Sequence, residues 1–353
     1  MELLILGIDA MCPHRVRALG SNLPALHALA ARGQVHAVPV TGDPCSTELW
    51  SSFATGLPAQ QHAVRGLTRG DTGELWRADA LPRGRLPDVM LNRAGLTVGL
   101  FNLPVVCFPP RPLAGWMACG DMLYPQDAYP PAVADGLEPY PAPTFRYDWP
   151  PGPVCEEALG QQHAAIFSEF MERGRVSLRN LHRLLDGLTP DVVIAYWHFL
   201  DSIQHHLLYD EGRTTQAYAL ADGFVGELCD RLDPERVVVV SDHGMRLPAR
   251  GDDGELVEIG TLTLLEMQWG ERRYLSSGVH TDRLLCAASW PEGGEPPPAG
   301  IHEVLPWALR ACGLPWEPRD EREAVREPDL TDAAMTPEER ETVLERLRQL
   351  GYG

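Results

Sequence analysis

Three carboxylates and three imidazoles stand beside short hydrophobic runs in this 353-residue chain. Asp9 closes Leu3-Leu4-Ile5-Leu6-Gly7-Ile8. Asp201 and His205 follow the run 191–197 by a few residues. Asp242-His243 directly follows 236–241, with its consecutive valines, and His280 lies in Ser277-Gly278-Val279-His280, ahead of the run 283–289. Mixed Asp and His ligation suits zinc, with manganese the second choice. The spacing of Asp201-x-x-x-His205 places both side chains on one face if the segment is helical. Six ligands are too many for one tetrahedral ion and suit two ions sharing a site. Each piece alone has a plainer reading: a surface pair for Asp201 and His205, a turn for Asp242-His243-Gly244, a loop-capping residue for Asp9, and almost no information in His280. Their common position singles them out, because open α/β sheets bind ligands beyond the carboxyl ends of their strands.

A second constellation is VTGDPCSTELWSSFATG, residues 40–56. A Gly- and Pro-containing loop delivers Ser46 and Thr47 to the start of a short helix ending before Gly56. A hydroxyl there serves as a helix N-cap, and this stretch by itself favours that role for Ser46. The same geometry also suits a nucleophile toward phosphorus, since a helix dipole and a divalent cation both favour the alkoxide. His62, His198, Gln204 and His206 lie near these elements in sequence, as supports, packing or substrate contacts. Trp50 and Trp197 are expected in the core.

The elements that must carry these residues alternate between β-rich runs and helical stretches, the pattern of an α/β sheet covered on both faces. Strands are expected at 3–9, 35–40, 97–102, 191–197, 236–241 and 283–289. Helices are expected at 24–33, at 156–188 with a break near Gly174, and from Thr336-Pro337-Glu338-Glu339 onward, where an N-cap, a first-turn proline and a capping-box Glu coincide. The chain reads as one domain, 1–353, with an irregular cap insertion at about 118–190 and a polar, mobile surface segment at 315–335. A net charge of −19 excludes a nucleic-acid scaffold by long-range repulsion, and leaves open a small anionic substrate held through cations. Eight scattered cysteines without a C-x-x-C pair read as thiols in a reducing compartment. No run is long enough for a signal peptide or a membrane span, so a cytoplasmic location is expected.

Taken together, these motifs resemble the alkaline phosphatase superfamily, in particular its type I phosphodiesterase/nucleotide pyrophosphatase-like branch. The resemblance covers roughly 2–60, 97–125, 190–246 and 277–313, in the family's order. Pro44–Gly56 with the following Leu57-Pro58-Ala59-Gln60-Gln61-His62 is similar to its nucleophile loop. Asp201-Ser202-Ile203-Gln204-His205 matches its D-x-x-x-H element, VVVVSDHGM (237–245) its most recognisable strand, and SGVHTDRLL (277–285) its last histidine loop. Phe101-Asn102-Leu103-Pro104 with Phe108-Pro109-Pro110 resembles a segment of phosphohydrolase and phosphomutase relatives. The resemblance implies a mostly parallel sheet with helices on both faces, and two divalent ions. Asp201, His205 and His280 would hold one; Asp9, Asp242, His243 and the Ser46 oxygen would hold the other. It also implies Ser46, nine residues before Thr55, as the nucleophile rather than Thr47. Two departures stand out: no Asn follows the nucleophile in Thr47-Glu48-Leu49, and Cys45–Leu49 lacks the Pro and Arg of a sulfatase. The implied function is hydrolysis of a small phosphodiester or nucleotide pyrophosphate through a phosphoseryl intermediate. Phosphomonoesterase, phosphonate hydrolase and phosphomutase chemistry are the alternatives. A non-catalytic binding protein that retains the fold is disfavoured, because a decayed site should have lost a ligand.

Overall fold

The computed structural model describes residues 1–318 apart from 43, 63, 70–72, 122–123, 143–147, 150–151, 270–271 and 292–295. Its strands are β1 (Leu3–Ile8), β2 (Gln34–Pro39), β3 (Val98–Phe101), β4 (Gly115–Cys119), β5 (Asp127–Tyr129), β6 (Asp148–Trp149), β7 (Val192–Trp197), β8 (Arg236–Val240), β9 (Gly244–Arg246), β10 (Glu255–Ile259), β11 (Leu262–Trp269), β12 (Arg272–Ser276), β13 (Val279–Thr281) and β14 (Arg283–Ala288). The helices are α1 (Pro13–Leu19), α2 (Pro24–Arg32), α3 (Ser46–Thr55), α4 (Ala59–His62), α5 (Pro87–Arg93), α6 (Pro131–Ala134), α7 (Glu156–Gly187), α8 (Phe199–Leu207), α9 (Glu211–Leu232) and α10 (Ile301–Ala311).

The central sheet runs β2-β14-β8-β1-β7-β3-β4-β5. Strands β8, β1, β7, β3 and β4 pair in parallel, while β14 and β5 run against their neighbours. Every residue of β1 and β7 is buried, as continuous aliphatic runs require when both faces are covered. The two-residue period divides them between two cores. Leu3 and Ile5 pack with α3, α5 and α10. Leu4, Leu6 and Ile8 pack with α2, α7, α8 and α9 on the other face. The expected strands all form, within a residue or two at each end.

Three differences from the sequence reading have physical causes. Helix α7 runs unbroken through Gly174, because that glycine is where Phe199 of α8 seats: a Cβ there would lie 2.9 Å from the ring. The 118–190 stretch is not separate from the sheet. The β4 and β5 pairing extends the sheet edge, and α7 covers one of its faces. The sequence reading also missed a second, antiparallel sheet, β10-β11-β12-β6. Its strands lack clean apolar/polar alternation, and β6 contributes a two-residue pairing from far along the chain. Most of the 315–335 segment and the whole terminal helix lie outside the described residues. Among the described residues no helix is long and apolar enough to cross a membrane.

Candidate metal centre and nucleophile

Because β8, β1 and β7 are parallel neighbours, their carboxyl ends open at one place on the sheet. Asp9 follows β1, Asp242 follows β8, and Asp201 lies in the first turn of α8 just beyond β7; all three are buried. The turn 241–244 feeds β9, which pairs with β13 in the register His280↔Met245, and this brings His280 beside His243. Their rings stack at 3.8 Å and 23°. Helix α8 supplies His205 one turn after Asp201.

Two sets of donor atoms result. His243 Nε2 lies 3.3 Å from Asp9 Oδ1, 3.4 Å from Asp242 Oδ2 and 3.4 Å from Ser46 Oγ. Asp201 Oδ1 lies 3.4 Å from His205 Nε2 and 3.5 Å from His280 Nε2, and those two nitrogens are 2.9 Å apart. The boundary between the sets is not sharp, since His243 also falls within 4.8 Å of the Asp201 and His280 donors. All six ligand candidates and Ser46 thus gather in one cluster, with Asp9, Asp201, Asp242, His243 and Ser46 buried and His205 and His280 half-buried.

The surroundings orient each donor inward. Tyr196 donates to Asp9 Oδ2, and the backbone N–H groups of Ala10 and His243 donate to Asp242 Oδ1. The remaining oxygens, Asp9 Oδ1, Asp242 Oδ2 and Asp201 Oδ1, have no hydrogen-bond partner. The imidazoles show the same polarity. His280 Nδ1 donates to the Pro44 carbonyl at 2.8 Å, and the Nδ1 atoms of His205 and His243 face the Gly278 and Gly244 carbonyls at 3.2 Å. Nε2 is therefore the lone-pair nitrogen in all three, the arrangement of histidines that ligate metal. Orphaned buried carboxylate oxygens facing imidazole lone pairs are costly without a cation and well matched to one.

The electrostatics agree. Burial, reinforced by the charges of Asp242 and Asp201, pushes the Asp9 carboxyl well above the usual range. Burial would raise Asp201 as well, but His205, His198 and His280 hold it well below. Burial lowers His205 to about 4 against the pull of Asp201, and it also lowers His243. His280 goes the other way: burial lowers it, but the nearby Asp201 carboxylate outweighs burial and raises it. A divalent ion would dominate all of these terms.

Ser46 is not an N-cap. It is the first helical residue, Cys45 occupies the cap position, and no side chain caps α3. Thr47, one step on, donates its hydroxyl to the Gly66 carbonyl, outside the donor cluster. Trp50 sets the helix in place. Its ring packs edge-on to Tyr196 at 5.0 Å and against Gly7, where a Cβ would come within 2.6 Å. Both Trp50 and Trp197 are fully buried, as expected.

The neighbouring polar residues support the site from behind. His198 Nε2 lies 3.2 Å from Asp201 Oδ2, and its Nδ1 is 3.0 Å from Ser202 Oγ. Gln204 donates to the Ala10 carbonyl at 2.9 Å. His62 accepts from the Val64 N–H and meets Ser52 Oγ at 2.8 Å, bracing α3. His206 faces away, toward the ring of His163. Sequence reasoning missed Tyr196. Its signal was a phenol inside an otherwise apolar buried strand, where the hydroxyl must find a partner.

A family model described as type I phosphodiesterase / nucleotide pyrophosphatase matches residues 3–256. No curated protein matches. Among solved structures, the phosphonoacetate hydrolase of Sinorhizobium meliloti 1021 in complex with phosphonoacetate is 13% identical, with 88% of this chain and 96% of that chain covered at a TM-score of 0.54. Murine ectonucleotide pyrophosphatase / phosphodiesterase 5 is 11% identical, with 90% and 97% covered at a TM-score of 0.50. These two likenesses reach the fold, an alkaline phosphatase-like one. With the family match spanning most of the chain, the protein belongs to the type I phosphodiesterase / nucleotide pyrophosphatase family of metal-dependent phosphoester hydrolases.

Proposed function

We propose that the chain hydrolyses a small phosphodiester or pyrophosphate, with Ser46 as the nucleophile. The observation that carries this reading is the placement of Ser46 Oγ 3.4 Å from His243 Nε2, in the same cluster as three partnerless carboxylate oxygens, with Thr47 turned away. Asp9, Asp242, His243 and the Ser46 oxygen would hold one divalent ion, and Asp201, His205 and His280 another, zinc being favoured by the nitrogen-rich set. Such ions supply Lewis-acid charge for the alkoxide, the phosphoryl oxygens and the leaving group.

The chain's own residues do the rest. Ser46 Oγ attacks phosphorus in line, forming the Ser46–O–P bond as the bond to the leaving oxygen breaks. Water then attacks the same phosphorus and restores the serine hydroxyl. The first ladder bond of α3 runs from the Leu49 N–H to the Cys45 carbonyl. The N–H groups of Ser46 and Thr47 therefore lie outside the helix ladder, at its positive end, where phosphoryl oxygens are stabilised. This supports a way to hold those oxygens without the Asn that the sequence lacks. Charge stabilisation and positioning of this kind are what phosphoryl transfer needs most. A cytoplasmic setting is the reading that eight scattered cysteines without a C-x-x-C pair support.

Acid quenching during turnover tests the covalent step. A diesterase leaves an esterified phosphoryl group on the Ser46 peptide, and a monoesterase leaves bare phosphate. Label on Thr47, or no adduct under any quench while turnover continues, removes Ser46 from the nucleophile's role.

A further inference from the structure

Ala10, the residue after Asp9, takes a φ of +56°, in the left-handed region that a Cβ makes unfavourable. Such a conformation persists where the surroundings over-determine it, and every part of Ala10 is held. Its N–H donates to Asp242 Oδ1 at 3.3 Å. Its carbonyl accepts from Gln204 Nε2 at 2.9 Å. Its methyl belongs to a small buried cluster with Leu208 and Met245, and Met245 is the β9 residue in register with His280.

Gln204 lies on α8, three residues after Asp201 and one before His205, and is fully buried. A buried amide needs partners at both ends. Tyr218 of α9 donates to Gln204 Oε1 at 3.2 Å and accepts from the Cys12 N–H at 2.9 Å. These partners fix which way the amide points, because the Ala10 carbonyl can only accept and the Cys12 N–H can only donate. The backbone carbonyl of Gln204 accepts from Ser277 Oγ at 3.2 Å, and Gly278 lies so close to it that a Cβ would come within 2.5 Å. That turn leads directly into β13 and His280. One residue therefore reaches both donor sets. Its backbone meets the turn before His280, and its side chain meets the peptide that follows Asp9 and braces Asp242.

We propose that Gln204 is a positioning residue that couples the two ion sites. By holding the strained peptide after Asp9, its amide sets the Asp9, Asp242 and His243 donors at a fixed distance from those of Asp201, His205 and His280. It acts through Ala10 and offers no ligand of its own. The inference rests on the two-ion reading above. An apolar side chain of the same length would fill the space beside α8 equally well. It would take from the Ala10 carbonyl the hydrogen bond that holds it, leaving the turn free to relax and carry Asp9 with it.

The experiment titrates zinc into the metal-free protein by calorimetry, with melting curves of each metal-free variant alongside. In His205→Ala, the Asp9 set is the one that keeps all its donors. Adding Gln204→Met removes the amide and keeps the length of the side chain. Zinc should then bind the Asp9 set about tenfold more weakly than in His205→Ala alone, the usual worth of a residue that orients a ligand. Tyr218→Phe in the same background leaves α8 untouched and frees only the far end of the amide. It should give a smaller loss in the same direction, and it carries the test if Gln204→Met does not fold. Two ions in wild type with unchanged affinity at the Asp9 set in both variants overturn the coupling and leave the two-ion reading standing. A lower melting temperature without that loss of affinity also overturns it, making Gln204 a packing residue of α8. A wild type that takes up a single ion overturns the two-ion reading and the coupling together.

Discussion

Ser46 and Thr47 are one helical step apart, about 100° of rotation, and that step decides their chemistry. One hydroxyl enters the donor cluster and the other is spent on the Gly66 carbonyl. Ser46→Ala should lower turnover by orders of magnitude while retaining metal, because the six Asp and His donors remain. Thr47→Ala should cost about 1 kcal/mol of stability, the worth of one hydrogen bond, and leave turnover within a few-fold; kinetics and urea unfolding of both variants check this. Away from the metal donors, His62 and His163 are each lowered to about 4, by burial first and then by Arg65 and Arg213 respectively. Their folded values lie below the unfolded one, so between pH 6.5 and about 4 the unfolded chain takes up protons that the folded chain refuses. Stability should therefore fall as pH drops through that window, and His62→Gln or His163→Gln should flatten the fall in urea midpoints.

At the scale of elements, α3 is positioned by a glycine. Gly7 on β1 leaves room for Trp50, and Trp50 in turn meets Tyr196, whose hydroxyl holds Asp9. Gly7→Ala should displace this stack at a cost of about 1–3 kcal/mol, the usual penalty of overpacking. It should lower kcat as well, because Ser46 rides on the displaced helix; melting curves and steady-state kinetics together test the link. Other fastenings are polar. Arg173 of α7 pairs with Asp121 at 3.5 Å with both side chains buried, and Ser177 bridges Asp121 to Tyr140. Arg173→Ala should destabilise by roughly 3–5 kcal/mol, since it strands a buried carboxylate, a loss readable in chemical denaturation. The strands carrying Asp9 and Asp242 were legible because aliphatic runs with acids at their ends state both burial and direction. The bond that holds Asp9 was not, because Tyr196 declares its partner only after β1 and β7 pair. Nor was the role of Ser46 separable from a cap, since both roles use the first turn of a helix and differ only in where the hydroxyl points. The second sheet escaped because its pairing of β6 with β12 joins residues more than a hundred positions apart, with no local period to announce it.

For the whole molecule, three buried carboxylates around one opening make the metal part of the fold's stability as well as of its chemistry. Ligands that bind the folded chain alone stabilise it by mass action. Chelation should therefore abolish turnover and lower the melting temperature, and zinc should restore both; elemental analysis should find about two ions per chain, the number that six donors accommodate. A protein indifferent to strong chelators in both measurements would contradict this. The cluster is also assembled from segments far apart in the chain, Asp9 just after β1 and His280 in β13, with β14 closing the pairing beside β8. This ordering has a consequence during synthesis. At about 5–20 residues per second, roughly 14–55 s separate the appearance of the first donor from that of the sixth, and the sheet that aligns them needs a strand made later still. The nascent chain thus carries scattered acids and imidazoles long before it carries a site. Loading with metal belongs to the finished polypeptide, and a ribosome stalled before β14 should hold a chain that retains none.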